Sequence, residues 1–215
     1  MNRIQKIGVF DSGIGGKTIL KVIKKHYPKY HYKYIADSKN CPYGEKQDPE
    51  LFQIVSKNVE ELIEWGAQII VIACNTATTR CLGYLKEKYP MIRFVGTEPA
   101  VGEATKTGAK KILVLATPGT IKSERLQELI RENQKPNQEI KTLACPGLAR
   151  AIEDHHGVKN VLDNLLCNVE KDFDIVVLGC THYPYAVKHL KHYFENAIFI
   201  DSGEEVAKKL GNELK

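Results

Sequence analysis

The 215-residue chain lacks any run of the roughly 20 apolar residues that a transmembrane helix requires. Its first residues, MNRIQKIGVF, hold no hydrophobic stretch of export-signal length before Asp11 interrupts them. The location expected from these absences is cytoplasmic. No Cys-x-x-Cys or His-x-x-x-His pair occurs, so Cys41, Cys74, Cys81, Cys145, Cys167 and Cys180 show no zinc spacing and no metal is expected. Without an export signal, free thiols are expected rather than disulfides. G-x-G-x-x-G is absent, and Gly16-Lys17-Thr18 lacks the full G-x-x-x-x-G-K-[ST] spacing because Asp11 stands where its first glycine would be, which argues against dinucleotide and Walker phosphate loops. No lysine stands in a recognisable pyridoxal-phosphate context, so no cofactor is expected. Nor does one sign of charge dominate. Lys and Arg total 31 against 26 Asp and Glu, and the net +5 is dispersed along the chain. That is a solvated surface rather than a nucleic-acid groove, and it suits weak attraction of small anions.

What is present is the composition of an ordinary globular protein, 43% hydrophobic and 27% charged, long enough for one large domain or two small ones. Short β-branched runs alternate with helix-period segments. Strands are expected at Lys6–Phe10, His31–Ala36, Ala67–Ala73, Ile92–Val95, Lys111–Leu115, Ile140–Ala144, Asp174–Leu178 and Ile198–Ile200. Helices are expected from about Lys17, over Pro49–Trp65, over Thr76–Tyr89, and between Leu115 and Ile140. Cys81 and Cys167 fall on helix faces, as small core or half-buried residues. This βαβα order implies an α/β fold of mostly parallel sheet with helices on both faces.

An internal repeat is visible. IIVIACNT (69–76) resembles DIVVLGCT (174–181), and IGVFDSG near the start resembles ILVLATPG (112–119). Two pseudo-symmetric α/β halves explain both likenesses: residues 1–97, joined by the C-terminal segment 195–215, and residues 98–194. Each half then presents one cysteine at the carboxyl ends of its strands, where ligands of open α/β sheets bind, and the expected active site is the cleft between the halves.

Three segments carry candidate chemistry. DSGIGG (11–16) lies between a strand and a helix, a tight turn that delivers Asp11 and Ser12 to the strand tip. Backbone N–H groups at that helix start are suited to a carboxylate, although Asp11 or Ser12 as a plain helix cap explains the segment equally well. ACNTATT (73–79) sets Cys74 at a strand-to-helix junction, where the helix N-terminus is expected to lower its pKa below about 8.5. Asn75 and Thr76 follow with amide and hydroxyl groups. GCTHYPY (179–185) repeats the device with Cys180, Thr181 and His182, the last close enough to orient a thiol. A single strand-end cysteine is more often an inert core residue. Two, each followed closely by a hydroxyl residue, fit a reaction that removes a proton from one face of a carbon and returns one to the other. Asp11 and His182 are then the candidates to assist Cys74 and Cys180.

FDSGIGG (10–16), CPYG (41–44), ACNTAT (73–78), EPA (98–100), TPGTIKS (117–123), CPGLARAIE (145–153), LGCTHYPY (178–185) and IDSGEEVA (200–207) together resemble the ordered motifs of the aspartate/glutamate racemase family, and within it the glutamate racemases. The resemblance runs from end to end. It implies a cofactor-independent interconversion of L- and D-glutamate, with Cys74 and Cys180 as the acid/base pair assisted by Asp11, His182 and Glu153. It also implies substrate contacts from Asp11, Ser12, Tyr43, Gly44, Asn75, Thr76, Thr181 and His182, and a product used in peptidoglycan synthesis. From the residues alone, Tyr43–Gly44 reads as a turn with a packed ring, and Glu153 as an exposed helix residue beside Asp154.

Two departures stand out. Members of the family usually run about fifty residues past the IDSG-type segment, so a smaller first half with an open edge is expected; ordinary βα units have that scale. The aromatic usual a few residues after Ser123 is replaced by Leu126 and Leu129. The alternatives are a racemase for aspartate or a related substrate, disfavoured by the FDSGIGG opening and by His182, and a catalytically silent amino-acid-binding homologue. No nucleic-acid or membrane partner is expected, and a homodimer stays open as the assembly.

Overall fold

The computed structural model describes residues 6–215; the opening residues 1–5, part of the segment read for an export signal, lie outside it. The elements run β1 (Lys6–Asp11), α1 (Lys17–His26), β2 (His31–Ala36), α2 (Asp48–Glu64), β3 (Ile69–Ile72), α3 (Asn75–Lys88), β4 (Arg93–Gly96), α4 (Val101–Lys106), β5 (Lys111–Ala116), α5 (Pro118–Ile121), α6 (Glu124–Asn133), β6 (Glu139–Ala144), α7 (Leu148–Glu153), α8 (Val158–Leu166), β7 (Ile175–Gly179), α9 (Val187–Leu190), β8 (Ile198–Ile200) and α10 (Gly203–Glu213). Each expected strand is present within a few residues. Among the described residues, no helix is long and apolar enough to cross a membrane.

Two compact units result, one of residues 1–97 with 203–215 and one of residues 98–202. The sequence reading put residues 195–202 with the first half. The structure puts them in the second, because β8 pairs in parallel with β7 and only α10 returns to the first unit. Ile198 is 63% exposed, so this short edge strand carries little hydrophobic pattern from which to assign it.

The first unit holds a four-stranded parallel sheet in the order β2-β1-β3-β4. Its strands alternate between two apolar layers, as buried parallel strands must. Ile7, Val9, Ile69 and Val71 pack with Ile19 and Ile23 of α1 and Val206 and Leu210 of α10. Phe10, Ile70 and Ile72 pack on the other face with Leu51, Val55 and Val59 of α2 and Cys81 and Leu85 of α3. Each fully buried Ile or Val contributes about 1.5–3 kcal/mol. Tyr27 Oη donates to the Ala207 carbonyl at 3.1 Å, tying α10 to the end of α1.

The second unit repeats the plan in the order β6-β5-β7-β8, all parallel. Leu113, Leu115, Val176 and Leu178 pack against Leu148 and Ile152 of α7, Leu162 and Leu166 of α8 and Leu190 of α9. Ile112, Val114, Ile175 and Val177 face Val101 and Ala104 of α4 and Leu126 and Leu129 of α6. The two leucines at the unusual positions after Ser123 are thus core residues of this layer. Cys167 corrects the expectation of a half-buried residue: it is exposed, one position beyond α8.

Candidate active site

In the first unit the site residues gather at the carboxyl ends of β1 and β3. Asp11 is the last residue of β1 and is fully buried; its Oδ2 accepts the Gly16 N–H at 2.8 Å. Asp11 therefore does brace the start of α1, and it takes one of the backbone N–H groups at that helix start, the Gly16 N–H, that were expected to suit a ligand carboxylate. A Cβ at Gly16 would lie 2.6 Å from the Asp11 Cβ and 3.1 Å from that of Ala73, so the glycine is what lets the turn fold back on the strand tips. Cys74 caps α3, its Sγ 3.5 Å from the Ala77 backbone nitrogen, and the Ser12 hydroxyl also hydrogen-bonds it.

These contacts do not lower the Cys74 pKa, as the helix position led us to expect. Burial pushes the thiol up to about 11, the Asp11 charge adds to the rise, and the bonds from Ser12, Ala77 and Thr76 only moderate it. The magnitudes decide the sign: a helix terminus contributes about 0.3–1 kcal/mol, under one pKa unit, whereas full burial moves a group by up to about 3–5 units. Cys74 rests as a thiol at neutral pH.

Asn75 and Thr76 begin α3, both at most 5% exposed. The Asn75 Nδ2 is buried and meets no acceptor among the described residues, so it is a donor available to a ligand oxygen. Tyr43 lies in a short 3-10 turn, Tyr43–Glu45, after a cis Cys41–Pro42 bond. Its ring is buried, 6.0 Å from that of Phe10, and its hydroxyl donates to Asp37 Oδ2 at 2.6 Å. The phenol is therefore committed to Asp37, and burial, with that bond adding to it, holds its pKa well above the usual tyrosine value. What Tyr43 and half-buried Gly44 can offer a ligand is backbone.

In the second unit the site residues lie past β7. A Cβ at Gly179 would stand 2.8 Å from the Leu115 carbonyl oxygen, so β7 and β5 approach here as only glycine permits. Cys180, Thr181 and His182 follow, each 7% exposed or less. Cys180 Sγ is 3.8 Å from His182 Nδ1, and His182 Nε2 is 2.7 Å from Glu153 Oε2. Glu153 is not the exposed helix residue that its neighbours suggested. Its side chain is 7% exposed and ends α7 against the imidazole, while Asp154 turns outward to Arg150 at 2.8 Å. A carboxylate on one imidazole nitrogen fixes the ring and leaves the other nitrogen for the sulfur. Ser123, left unassigned by the sequence, caps α6 by accepting the Leu126 N–H at 3.2 Å.

Sequence reasoning missed Asp37, Asn58 and Arg80, which surround the Tyr43 turn. The signals are faint. Asp37 and Asn40 have turn spacing, but the partners in α2 and α3 lie 21 to 37 residues away.

Comparison with known proteins identifies the family. Residues 20–210 match the family described as Asp/Glu/Hydantoin racemase. A glutamate racemase of Clostridium acetobutylicum is 36% identical over 214 residues, covering 97% of this chain and 83% of the relative. The crystal structure of Escherichia coli glutamate racemase, in complex with L-glutamate and the activator UDP-MurNAc-Ala, superposes with a TM-score of 0.83 at 32% identity, covering 98% of this chain and 82% of that one. That of Francisella tularensis subsp. tularensis glutamate racemase, in complex with D-glutamate, gives 0.81 at 29% identity, covering 98% and 80%. With two four-stranded parallel units of one topology, and sequence likeness over nearly their whole length, the chain belongs to the Asp/Glu/Hydantoin racemase family.

Proposed function

We propose that this chain is a glutamate racemase that works by proton transfer between two thiols and the substrate α-carbon, without metal or organic cofactor. The observation that carries the reading is the placement of Cys74 and Cys180 after the third strand of the same four-strand plan, each beside its own buried polar partners. Relatives 36–38% identical to it are glutamate racemases, and solved relatives hold L-glutamate in one case and D-glutamate in another.

For D-glutamate, the Cys74 thiolate removes the α-proton and the Cys180 thiol delivers its own to the opposite face. One sulfur ends protonated and the other as thiolate, so the reverse reaction begins where the forward one stops. The α-proton is weakly acidic, so a strong base helps. Burial and Asp11 make the Cys74 thiolate basic at the cost of its population, about one in ten thousand at pH 7 for a pKa of about 11. The Glu153–His182 pair holds an imidazole beside Cys180. The Asn75 amide is suited to a substrate carboxylate, with Ser12, Thr76, Thr181 and the Tyr43–Gly44 backbone as further contacts. By the family resemblance, D-glutamate formed in the cytoplasm supplies peptidoglycan synthesis, and a homodimer is the assembly to test by sedimentation.

The test is polarimetry with each enantiomer in D₂O, on protein dialysed against a chelator and treated with a carbonyl scavenger. Solvent deuterium is expected at the α-carbon of the product, with full activity retained. Binding of glutamate without deuterium incorporation would establish a silent binding protein instead, and faster turnover of aspartate would reassign the substrate. Loss of activity on chelation, restored by metal, would overturn the thiol-only mechanism.

A further inference from the structure

The turn that carries Tyr43 and Gly44 belongs to the connection between β2 and α2, whose only regular pieces are two three-residue turns, Ser38–Asn40 and Tyr43–Glu45. Two charged side chains hold it. Asp37 accepts from the Tyr43 hydroxyl at 2.6 Å, from Asn40 Nδ2 at 2.9 and 3.0 Å, and from Asn58 Nδ2 at 3.3 Å; its own N–H donates to the Asp11 carbonyl at 3.0 Å. Arg80 reaches the turn from α3. Its Nη1 donates to the Tyr43 carbonyl at 3.3 Å and its Nη2 to the Lys46 carbonyl at 2.7 Å, while Nε and Nη2 grip Asp48 Oδ1 at 2.8 and 2.5 Å.

Arg80 stands six residues along the helix that Cys74 caps. Its rigid planar fork thus fixes turn backbone against the element that presents a reacting sulfur. A lysine would keep the charge without that geometry. The ion pair is the lesser part, because the Asp48 side chain is 60% exposed and exposed pairs contribute little. The two carbonyl contacts matter more, since backbone is what Tyr43 has left to offer a ligand.

We propose that Arg80 is a positioning residue: it holds the Tyr43–Lys46 turn on the Cys74 helix and thereby sets the affinity for substrate. This rests on the reading of Tyr43 and Gly44 as glutamate contacts. The experiment compares Arg80→Lys and Asp48→Asn with wild type, by racemisation kinetics from both enantiomers and by hydrogen exchange of the Lys46 amide, which donates to Tyr43 O at 3.2 Å. Arg80→Lys is expected to raise KM about tenfold for both enantiomers with kcat within about threefold, the pattern of lost uniform binding. Its Lys46 amide should exchange several-fold faster, while Asp48→Asn stays near wild type in both readouts. A purely structural Arg80 would lower the melting temperature and leave the KM of the folded fraction unchanged, which overturns the proposal. Unchanged Lys46 exchange, or Asp48→Asn matching Arg80→Lys, overturns it too. Wild type inactive on glutamate sinks the functional reading instead, and hydrogen exchange still decides whether Arg80 holds the turn.

Discussion

The first unit surrounds its cysteine with the start of a 14-residue helix, the Ser12 hydroxyl and the buried Asp11 carboxylate. The second gives its cysteine no long helix. Cys180 leads into a 3-10 turn, and an imidazole links an acid to it, Glu153 to His182 to sulfur. The strand plan is common to both, and the register shows where they part. Asp11 ends β1, while Ala116 ends β5 opposite Gly179, so the second sheet has no acid at the corresponding tip. A repeated scaffold therefore fixes where each sulfur sits on its sheet, while the polar groups beside it differ between the two units.

Replacing each sulfur tests that comparison with the largest effect. Cys74→Ser and Cys180→Ser should each lose racemisation by several orders of magnitude, because a hydroxyl is a far weaker acid than a thiol. By family resemblance, the Cys180→Ser protein should still exchange the α-proton of D-glutamate with D₂O, and the Cys74→Ser protein that of L-glutamate. Near-normal racemisation by either variant would make that cysteine a bystander.

Glu153→Gln sharpens the contrast between the two surroundings. In the Cys74→Ser background it should slow exchange of L-glutamate by about a hundredfold, the low end of general acid–base contributions. In the Cys180→Ser background, exchange of D-glutamate should be unaffected. Equal losses in both would mean that Glu153 supports the fold rather than Cys180.

A smaller effect is expected from pH. Exchange of D-glutamate by the Cys180→Ser protein should rise about tenfold per pH unit through pH 7–9, because Cys74 titrates only near 11. Asp11 raises that pKa through its charge, so Asp11→Asn should move the rising limb to lower pH. Movement to higher pH would show that the brace to Gly16, not the charge, is what Cys74 feels.

The parts legible in the sequence were those written in short range. Runs such as KILVL and IIVI are β-branched and apolar on both faces, so they read as buried parallel strands, and the Cys74 and Cys180 motifs announce themselves by repetition. Its neighbours alone made Glu153 read as surface, and only the family resemblance pointed to the site, because its partner lies 29 residues away and Asp154 beside it is ordinary surface. The Cys74 pKa was misjudged in sign because the helix start shows in sequence, whereas complete burial is a property of the packed unit. Asp37 and Arg80 escaped notice for the same reason.

Because α10 packs on Ile7, Val9, Ile19 and Ile23, yet follows the whole second unit in the chain, the order of synthesis matters. A growing polypeptide displays that apolar face for the time needed to make 105 further residues, 98 through 202, at roughly 5–20 residues per second. During that interval the first unit already has its four strands but lacks α10, while the strands of the second unit are still being made. That layer of the first unit is completed only when residues 203–213 are made.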